Sequence, residues 1–377
     1  MKPRDLIEQS KRIVIKIGSA LLTDEKTGTI KQEWLQSIAD DLAAWQKDGK
    51  EIVIVSSGAI ALGRKSIGID YTNTPSSIPL ELKQAAASVG QIEIVKGFDV
   101  AFEKHDIPTA LILLNPKDTE ERRAHLNARA TIHTLLEKKH IPVINENDTV
   151  STAEIRFGDN DRLAARVAQM IGADLLIQLS TIDGLYDSNP ETDKNAQHIL
   201  LVETIDDAIE QMAGEAKPGL STGGMKSKLK AAKIAMQAGV HMVITDGTKN
   251  NALSALMDDA RATIFKASEK PLSARKKWIS SHVHPEGSLT LDEGAINALK
   301  NGKSLLPSGV IKISGDFTFG EAVEISDVEG HILAVGITKY SADEARHIIG
   351  KKSSDIAPLL GYSRGDELIH RDDLVLT

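Results

Sequence analysis

A chain of 377 residues with 41% hydrophobic residues can bury a sizeable core, and at roughly 100–200 residues per domain it holds two domains with room for a third. It has no cysteine, which excludes disulfides and thiolate-based metal or redox sites. A formal charge of −8 argues against a nucleic-acid binder as the default, because a phosphate backbone demands a basic face.

The opening Met1-Lys2-Pro3-Arg4-Asp5 has no apolar signal-peptide core behind it. No run approaches the roughly 18 apolar residues of a membrane span. A soluble, cytoplasmic protein with no membrane partner is expected. The first element is Arg12-Ile13-Val14-Ile15-Lys16-Ile17, a buried strand carrying one lysine and running into Gly18-Ser19. Leu35, Ile38, Ala39, Leu42 and Trp45 recur at helical spacing, and Gly49 closes that helix. Glu51 to Val55 reads as a second buried strand, ended by Ser56-Ser57-Gly58-Ala59. A helix is predicted over about Leu80 to Glu103, a strand over Ile107 to Leu114, and a helix over about Glu120 to Lys139. The apolar run from Ile141 to Ile144 then delivers a polar stretch, Asn145 to Asp161, before helical spacing resumes from Leu163 to Ile171. Asp174 to Leu179 is a strand, Asp187 to Gln197 a polar loop and Gly214 to Gly224 a Gly-rich loop. A helix from Lys226 to Ala238 and a strand from Val240 to Thr245 follow. Strands that are near-continuous apolar runs, alternating with helices, predict an α/β domain with a mostly parallel central sheet flanked by helices.

The pattern changes at the polar stretch 269–277, which reads as a linker. Beyond it the strands are short and turns frequent, with Leu289 to Leu291, Gly309 to Ile313, Ala322 to Ile325 and Ile332 to Val335 as candidates. The expected division is 1–268, a linker at 269–277, and a small, mainly β domain at 278–377.

Three places could carry chemistry. Lys16 sits inside an apolar strand, which is costly unless it reaches an anion or an exposed edge. Ser57-Gly58-Ala59 joins a strand to a helix through small residues, leaving backbone N–H groups for an anion or simply allowing tight packing. Thr222-Gly223-Gly224-Met225-Lys226-Ser227-Lys228 puts two lysines in the first turn of a helix, against its dipole, which suggests an offsetting anion such as a nucleotide phosphate. In open α/β sheets ligands sit beyond the carboxyl ends of the strands, where Asn145, Asn147 and Asp148 fall. One of Asp159, Asn160 or Asp161 is expected to cap the next helix. There is no Gly-x-x-x-x-Gly-Lys-Ser/Thr and no Gly-x-Gly-x-x-Gly, which demotes a Walker-type NTPase and a typical dinucleotide dehydrogenase. The histidines show no metal-ligand spacing.

Taken together, Val14 to Ser19, Ile54 to Ile60, Leu126 to Arg129, Pro142 to Asp148, Gly158 to Asp161, Asp183 to Tyr186 and Thr222 to Lys228 resemble the amino acid kinase superfamily, in segments that run in order along nearly the whole chain. The Asn145-Glu146-Asn147-Asp148 and Gly158-Asp159-Asn160-Asp161 pair is most similar to the branch that acts on glutamate. Leu291 to Ala295, Gly302 to Pro307 and Gly315 to Phe317 resemble a PUA domain. The resemblance implies the amino acid kinase fold and ATP-dependent phosphorylation of the side-chain carboxylate of L-glutamate, a first step toward proline. By position, it implies that Lys16 and Lys228 contact the transferring phosphate and that Asp159 orients them. It implies that Ser57, Asp148 and Asn160 hold glutamate, and that Lys16, Ser180, Thr181 and the segment Thr222, Gly223, Gly224, Met225, Lys226, Ser227 and Lys228 hold ATP. Mg²⁺ would be held mainly by the nucleotide phosphates, with no metal site built by the protein. Where the family usually has Thr-Asp this chain has Ser180-Thr181, so an adenine-side contact is expected to differ. Proline is implied as a feedback inhibitor, and a homo-oligomer is expected. The rivals are another amino acid kinase and an RNA-binding protein. From Trp278 onward there are 9 Lys+Arg against 15 Asp+Glu, so RNA is not an expected partner.

Overall fold

The structure is a computed structural model that describes residues 1–24, 27–69, 78–150, 160–213, 224–268 and 285–376. It divides into two compact units, Met1–Pro271 and Leu272–Thr377. The stretch 269–277, read as a linker, lies outside the described residues.

The first unit is built on one sheet. In chain order it runs β1 (Arg12–Ile17), α1 (Gln32–Lys47), β2 (Glu51–Ser56), α2 (Ala59–Gly63), α3 (Leu80–Glu103), β3 (Thr109–Leu114), α4 (Arg122–Glu137) and β4 (Ile141–Glu146). Then come α5 (Asn160–Ile171), β5 (Leu175–Ser180), β6 (Leu185–Tyr186), β7 (His198–Ile199), β8 (Leu201–Val202), α6 (Met225–Gln237), β9 (His241–Asp246) and β10 (Ala262–Phe265). The eight sheet strands lie in the order β3-β4-β2-β1-β5-β9-β10-β8. All neighbours are parallel except β9 and β10. Successive strands are added to one side of β1 and later ones, from β5, to the other. The topological switch therefore falls at β1 and β5, where ligands of such sheets bind beyond the carboxyl ends.

Both faces of the sheet are covered, which is why its strands are continuous apolar runs. Ile13, Ile15 and Ile17 point to one face and pack with α1 and α3. Val14, Val53, Val55, Leu176 and Ile244 point to the other and pack with α5 and α6. Side chains alternate along a strand, so Lys16 shares the face of Val14 and lies under α5 and α6. That resolves the lysine in β1: it is not at an exposed edge but between two strands, in register with Val55 of β2 and Gln178 of β5.

Three expectations need correction. The strand predicted from Ile107 begins at Thr109, after Asp106, whose φ of 54° is left-handed, and Pro108. The helix predicted over Glu120 to Lys139 is broken at Glu121, whose backbone is extended and whose carboxylate accepts from Arg123 N and Ala124 N as the N-cap of α4. The four-residue β10, too short for a periodic signal, adds an antiparallel strand.

The second unit has a five-stranded sheet of Gly287–Leu291, Val310–Gly315, Ala322–Ser326, Ile332–Ile337 and Leu374–Leu376. Its apolar face is covered by helices at Glu293–Lys300, Ala342–Ile348 and Ile356–Leu360, which the sequence reading had not singled out. No described helix of either unit is long and apolar enough to cross a membrane.

Candidate active site

Residues from four strand ends and two helix starts converge on the α5–α6 face. Asp161, in the first turn of α5, is fully buried and receives both Lys16 Nζ from β1 and Lys228 Nζ from α6, the latter at 3.1 Å. Lys16 and Lys228 are each only 6% exposed. Two cations and one anion thus meet in a place that water barely reaches. Burial pushes the Asp161 carboxyl up, but the two lysines outweigh it and hold the group below the usual carboxylate range. Lys228 moves down, first because it is buried and also because Lys16 crowds it, while Asp161 opposes that shift.

A second cluster adjoins the first through the backbone. Asn160, the residue before Asp161, donates its amide to Ser57 Oγ at 2.7 Å, to Ser56 O at 3.1 Å and to Asn145 Oδ1 at 3.2 Å. Ser57 stands at the end of β2, just before Gly58, whose φ of 109° is left-handed and suits glycine. The turn is set by close packing. A side chain at Gly90 of α3 would place its Cβ 1.7 Å from Ala59 O, so the start of α2 can lie against α3 only because that side chain is missing. Asp148 begins a single 3₁₀ turn two residues past β4. It is partly exposed and has no partner charge among the described residues. Desolvation raises its pKa to about 6.

The structure thus brings Lys16 and Lys228 together, and Ser57 with Asn160, and places Asp148 beyond the end of the neighbouring strand. Ser180 ends β5 and is buried, while Thr181 just after it is exposed. In α6, Gly224, Met225 and Ser227 are half-buried and Lys226 is exposed, so the two lysines of that turn differ in kind. Asp159, Thr222 and Gly223 lie outside the described residues. Asn160 and Asp161 do not spend their side chains on capping: one turns back to β2, the other to the lysines. Asp161 is a residue that sequence reasoning missed; the orienting carboxylate was read at Asp159, which lies outside the described residues. The available signal was charge, because two lysines in apolar surroundings need a buried counter-ion. Among the described residues, the only grouping of three ligand-type side chains is Asp327, Glu329 and His331 in the second unit.

Comparison with known proteins places these features. Residues 11–246 match the model of the amino acid kinase family, and residues 287–360 match that of the PUA domain. The chain is 52% identical over 370 residues to the glutamate 5-kinase of Brucella ovis, covering 98% of this chain and 97% of the relative. It is likewise 52% identical to the glutamate 5-kinase of Brucella abortus, with the same coverage. Among solved structures it resembles the carbamate kinase of Giardia lamblia bound to AMP-PNP, at 17% identity and a TM-score of 0.47, over 68% of this chain and 98% of that one. The UMP kinase of Bacillus anthracis aligns at 14% identity and a TM-score of 0.47, over 69% of this chain and 97% of that one.

Proposed function

The chain belongs to the amino acid kinase family, in its glutamate 5-kinase branch, and from that premise we propose how its site performs the reaction. The reaction is the ATP-dependent phosphorylation of the γ-carboxylate of L-glutamate to L-glutamyl 5-phosphate and ADP, the first step of proline biosynthesis. The observation that carries the mechanism is the buried Lys16–Asp161–Lys228 triad, which holds two cations at one carboxylate. A phosphoryl group in transit spreads negative charge over its equatorial oxygens, and cations placed there lower the barrier. The acceptor carboxylate is already ionised at pH 7, so no general base is needed. What the site must supply is alignment and charge. Lys16 and Lys228 act on the transferring group, and Asp161 holds them apart and in place.

MgATP is the phosphoryl donor, with Mg²⁺ carried on the phosphates. Both Asp161 oxygens face lysines, so that carboxylate is spoken for. The end of β5 with Ser180-Thr181, and the segment 222–228 leading into α6, hold the nucleotide. Ser57, Asp148 and Asn160 hold glutamate. Asp148 is a carboxylate without a cationic partner among the described residues, which suits the α-ammonium, the only positive charge on the substrate.

The test is ADP release that depends on L-glutamate, measured on the full chain. A chain ending near Lys270 retains this activity if the division at 269–277 is also functional. A truncated chain that is folded and inactive rejects that division. In the same assay proline inhibits, and glutamate relieves the inhibition, because proline offers the α-carboxylate and cationic nitrogen but no γ-carboxylate. Inhibition that is blind to glutamate rejects competition at this site.

A further inference from the structure

A line of buried amides runs from the core to the substrate side of the site. Gln91 is the one polar residue among the core-facing positions Ala87, Ile94, Phe98 and Ala101 of α3. Its Nε2 donates to Glu146 O at 3.1 Å, and its Oε1 accepts from Asn145 Nδ2 at 3.0 Å. Asn145 Oδ1 accepts from Glu146 N at 2.9 Å and from Asn160 Nδ2 at 3.2 Å. Asn160 Nδ2 continues to Ser56 O and Ser57 Oγ.

Each amide in this line touches a main-chain group whose role cannot invert. Glu146 O only accepts, so the Gln91 nitrogen faces it. Glu146 N only donates, so the Asn145 oxygen faces it. Ser56 O only accepts, so the Asn160 nitrogen faces it. The three orientations agree, and no single flip preserves the line. The consequence lies at its far end. Asn160 Oδ1 is left as a buried acceptor with no partner among the described residues. Ser57 Oγ already accepts from Asn160, so its own hydrogen is free to be donated elsewhere.

We propose that Gln91 is a positioning residue for glutamate: through Asn145 it fixes Asn160 Oδ1 as an acceptor for the α-ammonium and Ser57 Oγ as a donor to the α-carboxylate. The proposal rests on the reading that the site takes glutamate. A buried acceptor is costly until a donor arrives, and the ammonium is the only N–H donor glutamate carries at neutral pH. Gln91 touches no reacting atom, so its loss acts on binding and not on phosphoryl transfer.

The experiment compares wild type with Gln91→Met, which keeps the length of the side chain and removes its polar atoms. The KM for glutamate rises about tenfold, the scale of losing one hydrogen bond, while kcat and the KM for ATP stay within about twofold. Inhibition by glutarate weakens less than glutamate binding does, since glutarate keeps the carboxylate that Ser57 faces and lacks the amine that Asn160 faces. Equal weakening of glutamate and glutarate, or no change in either, overturns the proposal. Gln91→Glu keeps the test decisive where the Met variant does not fold. Protonated, that carboxyl donates to Glu146 O and accepts from Asn145 as Gln91 does; ionised, it loses the donor. Its KM for glutamate relative to wild type is then near one at about pH 6 and grows severalfold by about pH 8, since burial raises a carboxyl's pKa. A ratio that does not move with pH counts against Gln91. Wild type without glutamate-dependent ADP release instead defeats the reading of the site itself.

Discussion

Replacing Lys228 with alanine lowers kcat by about two orders of magnitude, the usual scale for one electrostatic stabiliser of a transition state. The substitution removes one of the two cations held at Asp161 and leaves Lys16 there alone. The KM for glutamate changes little, since Lys228 meets the phosphoryl group and not the amino acid. Breaking a buried ion pair typically costs about 3–5 kcal/mol of stability, and here Lys16 remains to hold Asp161, so the loss falls at or below the lower end. Circular dichroism checks that the variant is folded, and steady-state kinetics gives kcat. A folded variant with turnover within roughly threefold of wild type places Lys228 outside the chemistry.

Asp148→Asn lowers kcat/KM for glutamate about 30-fold at neutral pH, as expected for losing one partner of a desolvated charge pair at about 2 kcal/mol or more. The pH profile is the sharper test. With its pKa raised to about 6 by desolvation, Asp148 takes up a proton below that value and no longer offers a charge to the α-ammonium. Wild-type kcat/KM for glutamate therefore falls as pH drops below about 6, and Asp148→Asn lacks that limb. The sign for stability is opposite to that of a salt-bridged carboxylate. The folded value lies above the ordinary 3.8, so the folded chain binds this proton more tightly than the unfolded one does. Its contribution to the stability of the ligand-free protein declines as pH rises from 3.8 to about 6, and glutamate restores it by pairing. Glutarate serves as the control. Equal loss on glutamate and glutarate means that Asp148 does not read the amine.

Asp148 and Lys16 were both visible in the sequence, for different reasons. Lys16 stood out because an ammonium in an apolar strand needs a partner, and Asp148 because a polar cluster follows a buried strand. The ends of β1, β2, β4 and β5 and the long helices were legible because their apolar periodicity repeats over many residues. β10 and the helices of the second unit were not, because four to eight residues carry too few periods. Asp161 was overlooked although it lay beside residues already singled out, since spacing alone does not say which side of a helix's first turn faces the sheet.

By itself the sequence determined the strand–helix alternation, the position of the polar turns at the strand ends, and the family. These depend on local propensity and on the composition of contiguous segments. Only the tertiary structure decided the partnerships. Lys16 and Lys228 stand far apart in the chain and meet because β1 and the start of α6 are brought to one face of the sheet. Asp161 reaches both because the first turn of α5 points it at that face, and helix phase is set by packing. Gln91 looked like one polar residue in a helix. It became part of the site because α3 lies close enough to α2 at Gly90, and to the end of β4, for its amide to join a line of hydrogen bonds that no local pattern encodes.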